Sequence, residues 1–170
     1  MTAIFSTDRK YRYRLEREVQ PEGIVASIIM VNGSDADESV NDHTVTKLIG
    51  FGNALGWRRF IIGNLFGAIG TDIKVLRGHR DPVGPHNDRH LAEIIAAGDV
   101  LVVAWGTQAK LPATLRKRWI EVVRMADGLG KTMQCLGHCD DSHPKHPLMI
   151  GYDARLVAWT PPWFPNRRAQ

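Results

Sequence analysis

The stretch Gly23-Ile-Val-Ala-Ser-Ile-Ile-Met-Val31 is an almost unbroken apolar run, and the polar segment Asn32-Gly-Ser-Asp-Ala-Asp-Glu-Ser39 follows it directly. A short apolar run that ends in a polar loop predicts a strand covered on both faces, as in a parallel sheet. Three more runs predict buried strands at residues 59–66, 99–106 and 131–137.

The segments between these runs have helical spacing. Apolar residues recur at helical intervals over residues 42–55, 86–97 and 112–129. Asp42 can cap the first of these helices, and Gly56 is expected to end it. Strands that alternate with helices indicate βαβ units and a parallel sheet. The predicted fold is therefore an α/β, three-layer α/β/α sandwich with a central, mostly parallel four-stranded sheet. Residues 11–17, which alternate aromatic or apolar side chains with arginines, predict an additional N-terminal edge strand.

Length and composition bound the class of protein. A chain of 170 residues with 44% hydrophobic and 24% charged residues predicts a single globular domain over residues 1–170, and we expect a monomer. No apolar run approaches the roughly 20 residues of a membrane span, and the basic start does not resemble a signal peptide. Only two cysteines occur, so we expect a cytoplasmic protein without a disulfide framework. The net charge of +4 permits an anionic partner.

Polar residues collect where the four predicted strands end. In open parallel sheets, ligands bind beyond the carboxyl ends of the strands. The corresponding segments here are residues 32–38, 64–66, 105–107 and 138–148. The sequence thus predicts an active site at this edge of the sheet.

Two metal sites are alternatives for these loops, whereas the common cofactor and nucleophile motifs (GxGxxG, GxxxxGK[ST] and GxSxG) are absent. Zinc takes Cys and His ligands, and magnesium takes oxygen ligands. The zinc candidates are Cys135, His138, Cys139, His143 and His146, with Asp140 and Asp141 among them. The magnesium candidates are Asp35, Asp37 and Asp42, which could instead cap the following helix.

Several motifs in order resemble a bacterial and phage family catalogued as a domain of unknown function. They are Met30-Val-Asn-Gly-Ser-Asp-Ala-Asp-Glu38, Asp42-His-Thr44, Asn64-Leu-Phe66, Asp81-Pro-Val-Gly-Pro-His-Asn-Asp88, Ala104-Trp-Gly106 and His146-Pro-Leu148. The resemblance covers roughly residues 11–159. One departure is Gly33, where that family usually has proline.

The same motifs are similar to those of the uracil-DNA glycosylase superfamily, which has a parallel four-stranded α/β/α fold. The resemblance implies that Asn32 positions the attacking water and that Asn64 reads the edge of the base. It aligns Trp105-Gly106 with the end of the third strand, where Trp105 would contact substrate. It also aligns His146-Pro147 with the final motif, where His146 would donate a hydrogen bond to the departing base.

The resemblance assigns the remaining candidates to DNA and to water. Leu148 and Met149 would fill the space that the flipped nucleotide leaves, while Ser34 and Lys145 would contact the DNA backbone. Lys145 could alternatively form a Schiff base with the sugar. Phe51 or Phe66 would stack on the base. A carboxylate that activates water would come from Asp35, Asp37 or Asp42.

The function that this resemblance implies is a monofunctional DNA glycosylase without cofactor or metal, which cuts the N-glycosidic bond of a flipped base and leaves an abasic site. Because the uracil motifs are not intact, a modified pyrimidine is the expected substrate, such as glucosylated hydroxymethylcytosine in phage DNA, with an antiviral role. Two alternatives remain open: a metal-dependent enzyme acting on nucleotides or nucleosides, and a noncatalytic nucleic-acid-binding module.

Overall fold

The computed structural model describes residues 2–33, 40–70 and 75–162. These residues form a mixed α/β fold with a seven-stranded sheet and four α-helices. The strands are β1 (Thr2–Phe5), β2 (Arg12–Glu18), β3 (Ile24–Gly33), β4 (Trp57–Ile69), β5 (Val100–Val103), β6 (Met133–Cys135) and β7 (Val157–Ala158). The helices are α1 (His43–Leu55), α2 (Val75–Gly78), α3 (Asn87–Ala97) and α4 (Trp119–Gly128).

The four strands predicted from apolar runs form the parallel centre of the sheet. The strand order is β1-β2-β4-β3-β5-β6-β7, and β4, β3, β5 and β6 run parallel to their neighbours. β2 and β7 pair antiparallel with the two outer members of this group. The sheet is therefore wider than the predicted four strands plus one.

The position of β2 corrects the prediction of an N-terminal edge strand. β2 lies between β1 and β4, so β1 is the edge on that side. Arg12 and Arg17 on β2 are only 3% and 1% exposed. The prediction of a strand over residues 11–17 is confirmed, but β1 pairs with its outer edge. The Arg12 side chain lies against Gly33, and Arg17 bonds to Asn41 and Val40, so neither arginine faces water as expected.

Helices cover both faces of the sheet. Because side chains alternate along a strand, Ile29 of β3 packs with the apolar residues of α3 and α4, whereas Ile28 and Met30 pack with those of α1. This two-sided burial explains why β3 is apolar at almost every position.

Helix α1 begins and ends where capping residues predict. The Asp42 carboxylate oxygen Oδ1 accepts a hydrogen bond from the backbone N–H of Val45 at 2.7 Å. Gly56 ends the helix with a φ of 73°, in the left-handed region that glycine adopts without strain. The helix predicted over residues 42–55 is confirmed.

Two other predicted boundaries were wrong. The segment predicted as one helix from residue 112 to 129 contains a 3₁₀ turn at Ala113–Leu115, and α4 begins only at Trp119. β4 continues to Ile69, so Asn64 and Phe66 lie inside the strand instead of after it. No helix among the described residues is long and apolar enough to cross a membrane.

Candidate functional site

A pocket of about 200 Å³ lies where the carboxyl-terminal halves of β3 and β4 meet the start of α1 and the 3₁₀ turn Pro147–Met149. The residues that line it include Arg12, Asn32, Asp42, Asn64, His146 and Leu148. Five of these six were site candidates from the sequence. The six residues come from five separate segments of the chain, which is the convergence expected at this edge of a parallel sheet.

The pleat of the sheet explains why the two asparagines face one space. Met30 pairs with Asn64 across β3 and β4, and Asn32 lies two residues beyond Met30 on β3. Residues two apart share a face of a strand, so Asn32 and Asn64 both point to the face that carries α1.

The amide of Asn32 is held in one orientation. Its Nδ2 group donates a hydrogen bond to the carbonyl oxygen of Gly70 at 2.6 Å. Within the described part of the chain no group donates to its Oδ1 atom. Oδ1 is therefore the side-chain atom that can accept a hydrogen bond from a water molecule in the pocket.

Asn64 is 2% exposed, and its side-chain oxygen Oδ1 is buried without a donor among residues 2–33, 40–70 and 75–162. A buried acceptor that lacks a hydrogen bond costs roughly 1–3 kcal/mol. Such a cost is typical of a group reserved for a ligand or a bound water. Of all the atoms that line the pocket, Asn64 Oδ1 gives the clearest sign of a binding function.

The backbone under Asn64 is fixed from the opposite face of the sheet. Asn87, at the start of α3, donates from Nδ2 to the carbonyl oxygens of Asn64 and Leu65 at 3.0 and 3.3 Å. Arg118 Nε also donates to the Leu65 carbonyl oxygen, at 3.0 Å, and the Arg118 guanidinium pairs with Asp88.

His146 is half-buried and is the N-cap of the 3₁₀ turn. Its Nδ1 atom accepts a hydrogen bond from the backbone N–H of Leu148 at 3.4 Å. Burial lowers the pKa of His146 below the ordinary 6.5, although the nearby Asp42 carboxylate opposes this shift. The imidazole is thus neutral at neutral pH, and because Nδ1 is an acceptor, the proton lies on Nε2.

Asp42 caps α1 and also lines the pocket. The segment before it is anchored by Arg17, whose guanidinium donates to Asn41 Oδ1 at 2.6 Å and to the Val40 carbonyl oxygen at 3.2 Å. The other candidates in this part of the sequence, Ser34, Asp35 and Asp37, lie outside the described residues.

The structure places neither Phe51 nor Phe66 in the pocket. Both side chains are 0% exposed and belong to the two apolar cores, one on each face of the sheet. Phe51 packs edge to face against Tyr152, with ring centroids 5.1 Å apart. The Lys47 ammonium also lies over the Phe51 ring, 5.5 Å from its centroid. The expectation that one of these rings stacks on a base stays a prediction, and neither ring lines the pocket.

Trp105, Lys145 and Met149 line a second cavity of about 620 Å³ on the other side of His146. Trp105 is only 2% exposed, and its indole Nε1 donates to His143 Nδ1 at 3.3 Å. Leu148 and Met149 are 48% and 75% exposed, beside the mouths of the two cavities.

The residues named as zinc candidates do not converge. Cys135 Sγ contacts His138 Nε2 at 3.7 Å, but His143 is packed against Trp119 and Trp159. Asp141 accepts hydrogen bonds from Thr107 Oγ1 at 2.6 Å and from two backbone N–H groups. In the portions of the chain that the structure describes, no group of three or more His, Cys, Asp or Glu side chains is placed to hold a metal ion.

Arg12 is the pocket residue that the sequence did not single out. Its guanidinium lies against Gly33: a Cβ atom added at Gly33 would be 3.5 Å from Arg12 Cζ, Nε and Nη2. The only sequence signal was the alternation along β2, which predicted that Arg12 faces water. Thr44, in the first turn of α1, also lines the pocket. The sequence placed it in the motif Asp42-His-Thr44 but gave it no role.

The chain matches the DUF1643 family, described as proteins of unknown function, over residues 12–148. Since this range is most of the chain, the protein belongs to that family. The matched range begins at Arg12 and ends at Leu148, so it includes every pocket residue named above. No curated protein matches the chain significantly, and no solved structure does so either.

Proposed function

We propose that this protein is a DNA glycosylase of the uracil-DNA glycosylase type that removes a flipped pyrimidine base by hydrolysis. The observation that carries the proposal is the pocket shared by Asn32, Asn64 and His146, in which Asn64 presents a buried oxygen without a donor. The parallel centre of the sheet, with helices on both faces, is compatible with the four-stranded α/β/α sandwich of that superfamily.

The size of the pocket suits a single base. Its volume of about 200 Å³ is below the roughly 300–1,000 Å³ of sites that hold drug-sized ligands. Liquid water occupies about 30 Å³ per molecule, so the pocket has room for about seven water molecules, a space suited to a single base more than to a whole nucleotide. A base can enter such a pocket only after it leaves the stack, as it does when a nucleotide is flipped.

Three side chains supply complementary chemistry for cleavage of the N-glycosidic bond. Asn32 Oδ1 accepts from the water that attacks the sugar, while Gly70 holds the other end of the amide. His146 Nε2–H donates to the oxygen on which negative charge develops as the base departs. Asn64 Oδ1 accepts from an N–H group on the edge of the pyrimidine.

Asp42 is the carboxylate that the structure places beside these groups, and it supplies negative charge near the developing oxocarbenium ion. Asp42 also accepts the cap hydrogen bond of α1 through Oδ1, so the same carboxylate belongs to both the helix cap and the pocket. Asp35 and Asp37 remain candidates from the sequence for the same role.

The DNA would lie across the exposed residues beside the pocket. Leu148 and Met149 are large, exposed apolar side chains and would insert where the flipped nucleotide was stacked. Lys145 is exposed nearby and would contact a phosphate. The proposed substrate is a modified pyrimidine in DNA, such as glucosylated hydroxymethylcytosine of phage genomes. Its removal would leave abasic sites that block phage replication.

The test is release of bases from a panel of DNA substrates with chelator present. The panel contains uracil, mismatched thymine, hydroxymethylcytosine and glucosylated phage DNA, and alkali-labile abasic sites are counted. Base release that survives the chelator and is lost in Asn32→Ala supports the proposal. Activity that requires added metal favours a nucleotide-directed metalloenzyme, whereas DNA binding without any base release favours a noncatalytic module.

A further inference from the structure

The base-sized pocket has a larger neighbour. Val31 and His146 line both the pocket of about 200 Å³ and the second cavity of about 620 Å³, so the two spaces meet at these residues. The second cavity therefore lies next to the first pocket, beyond Val31 and His146, and is the larger of the two. The proposed function assigns His146 to the base and Lys145 and Met149 to DNA, and it leaves the other residues that line this second cavity without a role.

The walls of the second cavity combine an apolar surface with paired opposite charges. Val31, Trp105 and Met149 form the apolar part. Hydrogen-bond donors come from Lys110 and Lys145, and acceptors come from the carboxylates of Asp140 and Asp141.

This balance of charge selects the kind of group that fits. Two carboxylates beside two ammonium groups offset the attraction for a phosphate or another anion. A purely apolar group would displace water from Lys110, Lys145 and Asp140 without replacing its hydrogen bonds. Asp141 differs, since it already accepts from Thr107 and from two backbone N–H groups. An uncharged group with several hydroxyls can donate to the carboxylates, accept from the lysines and lay its C–H surface on the apolar wall.

We propose that the second cavity is a subsite for an uncharged, hydroxyl-rich substituent, of the size of a sugar ring, that is attached to the pyrimidine in the first pocket. This inference rests on the proposed glycosylase function and adds the feature by which the enzyme selects its substrate. The substituted base would be released preferentially because its substituent gains contacts that an unsubstituted base lacks.

A matched pair of substitutions separates the subsite from the base pocket. Ala109 lines the second cavity and is exposed, on the 3₁₀ turn Gln108–Lys110, so Ala109→Phe adds bulk to the cavity. Ala113 is exposed on the next 3₁₀ turn and lines neither cavity, which makes Ala113→Phe the control. Both variants are first compared with the unaltered protein for melting temperature and for DNA binding.

The experiment measures kcat/KM for base release from duplexes that contain cytosine, hydroxymethylcytosine or glucosylated hydroxymethylcytosine at one position. The unaltered protein is expected to prefer the glucosylated base by roughly tenfold to a hundredfold or more. Ala109→Phe should remove about the same factor for the glucosylated base, while Ala113→Phe should not. A second measurement uses calorimetry with the free bases, where the glucosylated base should bind more tightly to the unaltered protein than to Ala109→Phe.

The outcomes distinguish the inference from the function on which it rests. Equal rates for substituted and unsubstituted bases, or no selective loss in Ala109→Phe, would overturn the subsite and leave the glycosylase intact. No base release from any of the DNAs would overturn the proposed function and the subsite with it.

Discussion

Asn87 Nδ2 donates a hydrogen bond to the carbonyl oxygen of Asn64 at 3.0 Å, so a residue on α3 fixes the backbone of the residue whose side chain faces the pocket. Asn87 is fully buried and lies on the face of the sheet opposite to the pocket. The orientation of Asn64 thus depends on a side chain that a substrate in the pocket cannot touch.

Replacing Asn87 should weaken both the fold and the recognition of the base. In Asn87→Ala the buried carbonyl of Asn64 loses its side-chain donor, which should cost roughly 1–3 kcal/mol in the free energy of unfolding. The same change should raise KM more than it lowers kcat, because Asn64 binds the base and does not attack the sugar. Urea denaturation and steady-state kinetics measure the two effects. Asn53→Ala, at an exposed position of α1, is the control and should show neither effect.

Removing either proposed catalytic side chain should abolish base release without preventing DNA binding. Asn32→Ala removes the acceptor for water, and His146→Ala removes the donor to the departing base. Each should lower kcat by about 100-fold or more, as is usual for such groups. Gel-shift titration should give DNA affinities close to that of the unaltered protein. Full activity in both variants would show that the pocket is not the catalytic site.

Acid should destabilise the protein through its buried histidines. Burial lowers the pKa of His90, His143 and His146 below the ordinary 6.5. The unfolded chain therefore binds protons first as the pH falls, so the stability that is complete above about pH 6.5 is lost as the pH drops toward the folded-state pKa values.

Urea midpoints measured between about pH 8 and about pH 5 test this dependence. In His143→Gln the slope with pH should be smaller, because one of the three titrating groups is gone. A free energy of unfolding that stays constant or increases on acidification would contradict the expectation.

Leu148 and Met149, the exposed apolar side chains beside the pocket, should affect the rate of base release from duplex DNA more than from single-stranded DNA. Leu148→Ala and Met149→Ala remove side chains that would hold the duplex open after flipping, a step that costs a few kcal/mol. Each should lower the rate on duplex DNA by roughly tenfold and the rate on single-stranded DNA much less. Val157→Ala, at an exposed apolar position on β7, is the matched control. An equal loss on both DNAs would assign the pair to base binding instead of flipping.

The helices and strands whose signals lie in neighbouring residues could be predicted from the sequence. The apolar run before Asn32 predicted β3, and the pair Asp42 and Gly56 predicted both ends of α1, because each signal depends on neighbouring residues alone. β1 and β7 were not predicted, since strands of four and two residues are too short to show a clear alternation and form by pairing with β2 and β6. β4 was predicted too short because glycines and Asn64 interrupt its apolar pattern.

The site was predictable to the extent that it follows strand ends. Asn32, Asn64 and His146 were found because the motifs that contain them resemble those of the uracil-DNA glycosylase superfamily and lie near the ends of predicted strands. Arg12 could not be found, because its burial depends on a contact with Gly33. The aromatic Phe66 looks the same in sequence whether it packs in a core or stacks on a ligand, and only the three-dimensional structure decides.

Asp42 caps helix α1 and is also proposed to assist the attack by water, and two substitutions can separate these roles. Asp42→Ser keeps a hydroxyl that can accept from the Val45 N–H group, whereas Asp42→Ala removes the cap at a cost of about 0.5–2 kcal/mol. If the carboxylate assists attack by water, both variants should lose base release while Asp42→Ser keeps nearly the full melting temperature. Activity that follows stability, retained in Asp42→Ser and reduced only in Asp42→Ala, would assign Asp42 to the helix cap alone. Water activation would then fall to Asp35 or Asp37, and Asp35→Asn and Asp37→Asn in the same assay would identify which.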